Sequence, residues 1–143
     1  MKRAISLFSG MGGDSLGIQQ AGYTLVAYSE KEKICRESHD ANFTNCTLLG
    51  EACGSNISKI KDEEFLQYKD TIDLIFAGFP CQGFSQAGKK LPNDPRNTLF
   101  REFLRATKLI KPKYIIGENV KGLLKRKTHT DELYIDIIKK EFE

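Results

Sequence analysis

The chain has 143 residues, 40% hydrophobic and 29% charged, with a formal net charge of +3. That is the size and make-up of one globular domain, long enough to bury a core, and it excludes a disordered or fibrous chain. No apolar run approaches the roughly 20 residues of a membrane span, and the stretch after Met1-Lys2-Arg3 is too short for a signal-peptide core.

Short apolar runs alternate with helical periodicity along the chain, which predicts βαβ units and a parallel sheet. Ala4–Phe8 reads as a strand and Asp14–Ala21 as a helix opening after a glycine turn. Thr24–Ser29 is a second strand, followed by a helix over Lys31–Ala41. Residues 43–60 hold a short third strand and a loop, and Asp62–Tyr68 a short helix. Ile72–Ala77 is a fourth strand, ending in a long Gly/Pro-rich loop over 78–96. Thr98–Ile110 is a helix with Leu99, Phe103, Ala106 and Ile110 on one face. Tyr114–Gly117 makes a fifth strand, and Asp131–Phe142 a last helix. The expected architecture is an α/β, Rossmann-like parallel sheet of about five strands flanked by helices, incomplete at its C-terminus.

Charge is unevenly spread. Residues 78–130 carry twelve Lys/Arg against three acids, whereas the remaining residues carry ten bases against sixteen acids. A polyanion approaching the second half of the chain would leave such a footprint. Any single lysine is more simply a solvated surface residue; the clustering is the signal.

Cys35, Cys46, Cys53 and Cys81 form no C-x-x-C pair. Cys35 and His39 could share a helix face, but two ligands fall short of a structural zinc site, and no metal is expected. The irregular spacing predicts a reduced, intracellular protein rather than a disulfide framework. Cys81 differs from the others. It lies in Gly78-Phe79-Pro80-Cys81-Gln82-Gly83-Phe84-Ser85, just beyond the fourth strand, at the sheet edge where open α/β folds bind ligands. A packing cysteine belongs inside the apolar run, so this position suggests a nucleophile.

Phe8-Ser9-Gly10-Met11-Gly12-Gly13 joins the first strand to the first helix. Glycines there allow close backbone approach to a ligand, and the helix N-terminus favours an anionic group. Ser15 stands where the third glycine of a dinucleotide fingerprint would fall, which disfavours a dinucleotide. Glu30 ends the second strand twenty residues after Gly10, where an acid can accept from ribose hydroxyls. S-adenosylmethionine fits this pair, although each element alone could be a plain turn and a surface acid. Glu118-Asn119 closes the fifth strand beside the fourth, bringing an acid to the same edge as Cys81. His39 and His129 read as surface residues, and nothing singles out either as partner for a Cys/His hydrolase.

These three motifs, with the last extending through Gly117-Glu118-Asn119-Val120-Lys121-Gly122-Leu123, resemble the cytosine-C5 DNA methyltransferases in order and spacing. The match spans nearly the whole chain but only about the first half of the family's pattern. The resemblance implies that the Cys81 thiolate adds to C6 of cytosine while Glu118 protonates or hydrogen-bonds N3. The resulting enamine at C5 takes the sulfonium methyl, and loss of the C5 proton with elimination of the cysteine restores the ring. Asn119 would orient the cysteine loop. Phe8, Ser9, Gly10, Met11, Gly12, Gly13, Glu30, Lys31, Asn56, Ile57, Gly78, Pro80 and Leu99 would form the S-adenosylmethionine site. Gln82, Ser85, Lys89 and Arg96 would contact double-stranded DNA holding a flipped cytosine.

By the same resemblance, residues 1–77 form the cofactor-binding part and 78–143 the catalytic part of a bacterial-type, cytoplasmic enzyme. Asn56 replaces the family's usual aspartate at the adenine amino group; its amide oxygen can still accept. The chain stops before the family's later arginine motif, recognition domain and final cofactor motif, so a complementing polypeptide is expected. Two other readings remain open: an inactive Rossmann-like fragment or interaction module, and a tRNA cytosine-C5 methyltransferase.

Overall fold

Strand β1 (Lys2–Leu7) buries its last four side chains, as a central strand covered on both faces must. It stops at Phe8, whose φ of 55° turns the backbone out of the extended region. The computed structural model describes residues 1–80, 99–128 and 130–143. Helix α1 (Gly13–Gln20) follows, then β2 (Tyr23–Tyr28) and α2 (Lys33–Asn42). The two-residue β3 (Thr47–Leu48) leads into 3-10 turns at Glu51–Cys53 and Ile57–Lys59, then α3 (Asp62–Leu66) and β4 (Leu74–Ala77). After the segment outside the described residues come α4 (Phe100–Ile110), β5 (Tyr114–Gly117), a 3-10 turn at Lys121–Lys125 and α5 (Tyr134–Phe142).

The five strands form one sheet in the order β3-β2-β1-β4-β5, with every pairing parallel. Strand order reverses between β1 and β4, so the loops leaving these two strands diverge and open a crevice. Alternation along the strands splits the core in two. Ile5, Leu7, Ala27, Ile75 and Ala77 pack with Phe65, Phe103, Ala106 and Ile110 on one face. Ala4, Leu25 and Leu74 pack with Ile18 of α1 and with Phe43 on the other.

The predicted strands and helices are all present, with shifted ends, whereas the loop expected over 78–96 lies outside the described residues beyond Pro80. Helix α2 begins at Lys33 rather than Lys31, because Glu30 Oε1 accepts the Glu32 N–H at 2.8 Å and holds that stretch as a loop. Helix α5 begins at Tyr134 rather than Asp131, because Thr128 N–H donates to Glu132 O within a turn and Asp131 has a φ of 65°. His39 corrects a sequence expectation outright: it is fully buried, not on the surface. His39 and Phe43, the C-cap of α2, are four residues apart and so fall on the same inward side of the helix.

Gly12, with φ 104°, is where the chain passes closest to α2. A Cβ there would lie 2.4 Å from Phe43 Cε2 and 3.0 Å from His39 Cδ2. Gly12→Ala should therefore cost about 2–4 kcal/mol, from overpacking and positive-φ strain together, read as a lower midpoint in urea unfolding.

Candidate active site

The crevice at the carboxyl ends of the strands is a cavity of about 790 Å³, a size suited to a nucleotide-like ligand. Phe8, Ser29, Glu30, Lys31, Glu32, Ser55, Asn56, Ile57, Ser58, Gly78, Pro80, Leu99 and Glu102 line it. It thus gathers Phe8, Glu30, Lys31, Asn56, Ile57, Gly78, Pro80 and Leu99 from the expected cofactor set. Ser9, Gly10, Met11, Gly12 and Gly13 lie outside the lining. Met11 is exposed, whereas Gly12 and Ser9 turn toward α2 and α1. Ser29, Glu32, Ser55, Ser58 and Glu102 escaped the sequence reading, because nothing local marks a residue that only the fold carries to a cavity wall.

Each wall has a visible cause. The ends of β1 and β2 are tied by Ser29 N–H to Ser6 O and Ser9 N–H to Ser29 O, both 2.9 Å. Glu30 Oε2 accepts the Gly10 N–H at 2.7 Å, so the acid at the end of β2 also fixes the glycine turn. The 50–56 loop docks through Ser55, whose hydroxyl accepts Glu30 N–H at 3.0 Å. Asn56 Oδ1 accepts Ser58 N–H at 3.3 Å, which caps a 3-10 turn and leaves the oxygen a second lone pair.

Two arginines brace the walls from outside. Arg36 Nη1 on α2 donates to Glu30 O, Lys31 O and Gly54 O at 3.0, 2.5 and 3.1 Å, bridging two wall segments. Arg105 on α4 donates to Ile57 O at 2.8 Å and Ile60 O at 3.1 Å, pairs with Glu102 and Asp62, and covers the Phe65 ring. The planar fork of arginine suits such multiple carbonyl bonding.

At the far side of the crevice, Glu118 follows β5, its N–H donating to Ala77 O at 2.9 Å. Its Oε2 lies 3.5 Å from where a Gly78 Cβ would stand, so the acid overhangs the exit of β4. Asn119 Nδ2 donates to Phe79 O at 3.2 Å, and its Oδ1 accepts Val120 N–H at 2.8 Å. Cys81, Gln82, Ser85, Lys89, Arg96 and His129 lie outside the described residues.

A parallel sheet of this order, with its cavity at the strand-order reversal, is the Rossmann-like architecture of methyltransferases. An E. coli prophage protein described as a DNA modification methyltransferase superposes with a TM-score of 0.76 at 28% identity, covering 99% of this chain and 37% of that one. A triple mutant of Spodoptera frugiperda DNMT2 gives 0.69 at 28% identity, over 99% of this chain and 41% of its own. The chain belongs to the C-5 cytosine-specific DNA methylase family, whose profile matches residues 2–143. Type II methyltransferase M.DdeI of Desulfomicrobium norvegicum is 36% identical over 96% of this chain and 32% of its own length. M.XorII of Xanthomonas oryzae is 42% identical over 83% and 28%, respectively. The chain thus spans about a third of the length of these curated relatives.

Arg36→Met should free three wall carbonyls while keeping the side chain's apolar bulk. We expect a loss of about 1.5–3 kcal/mol in urea unfolding, with faster amide exchange across residues 29–32 and 54–56.

Proposed function

We propose that residues 1–77 and 78–143 are the cofactor-binding and nucleophile-bearing parts of an enzyme that methylates C5 of cytosine in DNA. The supporting observation is the grouping at the β4 and β5 exits. Glu118 overhangs Gly78 and Asn119 holds the Phe79 carbonyl, immediately before Pro80-Cys81 in the chain. An acid and a backbone anchor thereby converge beside Gly78 and Pro80 of the cavity wall, and the candidate nucleophile is the next residue in the sequence.

The cavity suits S-adenosylmethionine in its donor set. Among the described lining residues, Glu30, Glu32 and Glu102 stand against Lys31, which favours a ligand carrying sulfonium and ammonium charge. Glu30 keeps lone pairs for ribose hydroxyls, and Phe8, Ile57, Pro80 and Leu99 offer apolar surface to a base. Bound there, S-adenosylmethionine supplies an electrophilic methyl group.

The remaining chemistry falls to this chain. The Cys81 thiolate forms a bond to C6 of cytosine, and the C5–C6 π pair moves onto C5 while Glu118 hydrogen-bonds or protonates N3. Once C5 is methylated, its proton leaves to a base, the C6–S bond breaks, and the aromatic ring and thiolate return. C6 is unreachable in the stack, so the base must be flipped out of the duplex. The named relatives act as type II methyltransferases, which favours DNA over tRNA as substrate and a bacterial cytoplasmic setting. No helix among the described residues is long and apolar enough to cross a membrane.

The rest of the enzyme has a ready seat. Parallel strands are normally covered on both faces, yet all four residues of β5 are exposed, with Tyr114, Ile115 and Ile116 at 66%, 38% and 49%. Beside β5 lies a 460 Å³ groove lined by Phe79, Phe103, Val120, Leu124, Ile138 and Phe142, among others. The two-thirds of the relatives' length beyond this chain would supply a strand to the free edge of β5 and apolar side chains to the groove, whether on the same or a separate polypeptide.

Two outcomes test this reading. With the remaining part of the enzyme, S-adenosylmethionine and duplex DNA carrying 5-fluorocytosine, a covalent adduct should form through Cys81. Cys81→Ser should abolish it with near-unchanged cofactor affinity, and Glu118→Gln should slow methylation by about 10²–10⁴-fold; an adduct surviving Cys81→Ser, or forming on tRNA but not DNA, sinks the assignment. Ile116→Lys should weaken association with the remaining part, or solubility of the continuous protein, by placing a charge on the covered sheet edge, as read by pull-down or sedimentation.

A further inference from the structure

One buried titratable group takes no part in the chemistry above. The His39 ring is fully buried, stacked 3.7 Å from Tyr28 and 4.6 Å from Phe43 between ring centroids. Its Nε2 lies 2.9 Å from Ser15 Oγ, and its Nδ1 has no partner among the described residues. A bare lone pair at Nδ1 is cheaper to bury than an orphan N–H, so the proton belongs on Nε2. Donation then runs one way: Nε2–H to Ser15 Oγ, Ser15 O–H to Ser9 Oγ at 3.0 Å, and Ser9 O–H to Asp14 Oδ1 at 3.4 Å. The other Asp14 oxygen accepts the Ser6 hydroxyl. Ser6, Ser9 and Ser15 are all buried, so the chain is sheltered from water until it reaches the half-buried Asp14. The turn is also moulded on this ring, since Gly12 has no room for a Cβ beside His39 and Phe43.

We propose that His39 is a positioning residue of the cofactor site, anchoring Ser15 and Ser9 and so fixing the Ser9–Gly13 turn whose Gly10 N–H holds Glu30 in the cavity wall. This rests on reading that cavity as the cofactor site. The residue touches neither cavity nor substrate; it acts through the turn. A second proton would sit on Nδ1 with no acceptor, so the arrangement requires the neutral ring.

Among the described residues, Asp40 of α2 is the charged group that acts on the ring, Asp14 of α1 ends its hydrogen-bond chain, and Tyr28 of β2 stacks on it and is itself influenced by Asp40, Cys46 and Arg36. Tyr28 O–H donates to Asp40 Oδ1 at 2.6 Å. Burial lowers the His39 pKa below its ordinary 6.5, with Asp40 opposing less strongly. Burial also raises Tyr28 and pushes Cys46 up to about 12, so both stay neutral near physiological pH. The Asp14 carboxyl is raised by burial too. Because the folded His39 binds its proton less readily than the unfolded one, its stabilising contribution is complete above pH 6.5 and is lost progressively as pH falls below that value.

The test compares the full protein with its His39→Phe and His39→Gln variants at about pH 8 and about pH 5.5. Its two readouts are amide exchange at residues 10–13 without cofactor, and S-adenosylmethionine affinity by calorimetry. His39→Phe should speed exchange and weaken affinity about tenfold at the higher pH, flatten the pH profile of both, and raise KM far more than it lowers kcat. His39→Gln, whose amide can still bond to Ser15, should recover most of both. Should His39→Phe fail to fold, Ser15→Ala breaks the same chain and should give the same loss. Unchanged exchange in His39→Phe, no rescue by glutamine, or a pH profile removed by Asp14→Asn but not by His39→Phe would overturn the proposal. Turn exchange that responds as expected in a protein without S-adenosylmethionine affinity would instead overturn the cofactor reading.

Discussion

Glu30 joins the ends of the two strands from which the cavity is built. Its carboxylate accepts Gly10 N–H at 2.7 Å and Glu32 N–H at 2.8 Å, so one side chain sets both the glycine turn after β1 and the loop before α2. The bonds are charge-assisted and end on backbone donors that helix starts and tight turns otherwise leave unsatisfied. A cavity at the reversal of strand order is open by construction, because its loops part company. Glu30 stops them parting further. The same acid therefore serves structure and recognition at once, and lone pairs not spent on the backbone face the ligand space.

Helix α2 extends this bracing. Arg36 and His39 stand three residues apart and lean on different walls: Arg36 on the carbonyls of residues 30, 31 and 54, His39 on Ser15 beneath the glycine turn. The first works by charge-assisted bonds near solvent, the second by a neutral ring in a dry layer between Tyr28 and Phe43. Helix α4 does the corresponding work opposite, with Arg105 holding Ile57 O and Ile60 O. Two arginines, from two helices, thus hold the cavity's loops by their backbone carbonyls, while His39 reaches the glycine turn through the Ser15 hydroxyl.

The sheet was legible in the sequence because its signals are local. Apolar runs such as Ile72–Ala77 and the amphipathic stripe of α4 need no knowledge of the fold. Phe8, Glu30, Gly78 and Pro80 are legible as cavity-lining residues for the same reason: each sits near a strand end in a recognisable motif. Ser55 and Glu102 are not, since they reach the cavity through a loop docked on β2 and through the roll of a helix about its axis. His39 reads as a surface residue because nothing local singles it out and the adjacent Asp40 cannot face it on a helix. Its spacing from Phe43 points the other way, and burial among aromatic rings outweighs polarity once one nitrogen has Ser15 to bond.

The charge asymmetry changes meaning once the fold is in hand. Of the basic residues over 78–130, Arg101 pairs with Glu141, Arg105 with Glu102 and Asp62, Lys113 with Asp73, and Lys127 with Asp131. Each partner except Glu102 lies outside the basic segment, so acids of the remaining chain neutralise part of the excess within the fold. Lys113 holds the half-buried Asp73 carboxyl below its ordinary range, a contact that sets the start of β5 against β4 rather than attracting a polyanion. Lys121 and Lys125 are exposed in the turn directly after Glu118-Asn119, and Lys89, Lys90 and Arg96 follow Cys81 in the sequence. Among the described residues the surplus left for phosphate is smaller than the count of lysines and arginines implies, and Lys108 and Lys111 at the end of α4 belong to it as much as Lys121 and Lys125 after the candidate acid. Under the proposed function only the Lys121–Lys125 turn, directly after the candidate acid, is placed to favour a polyanion at the crevice over one elsewhere on the domain.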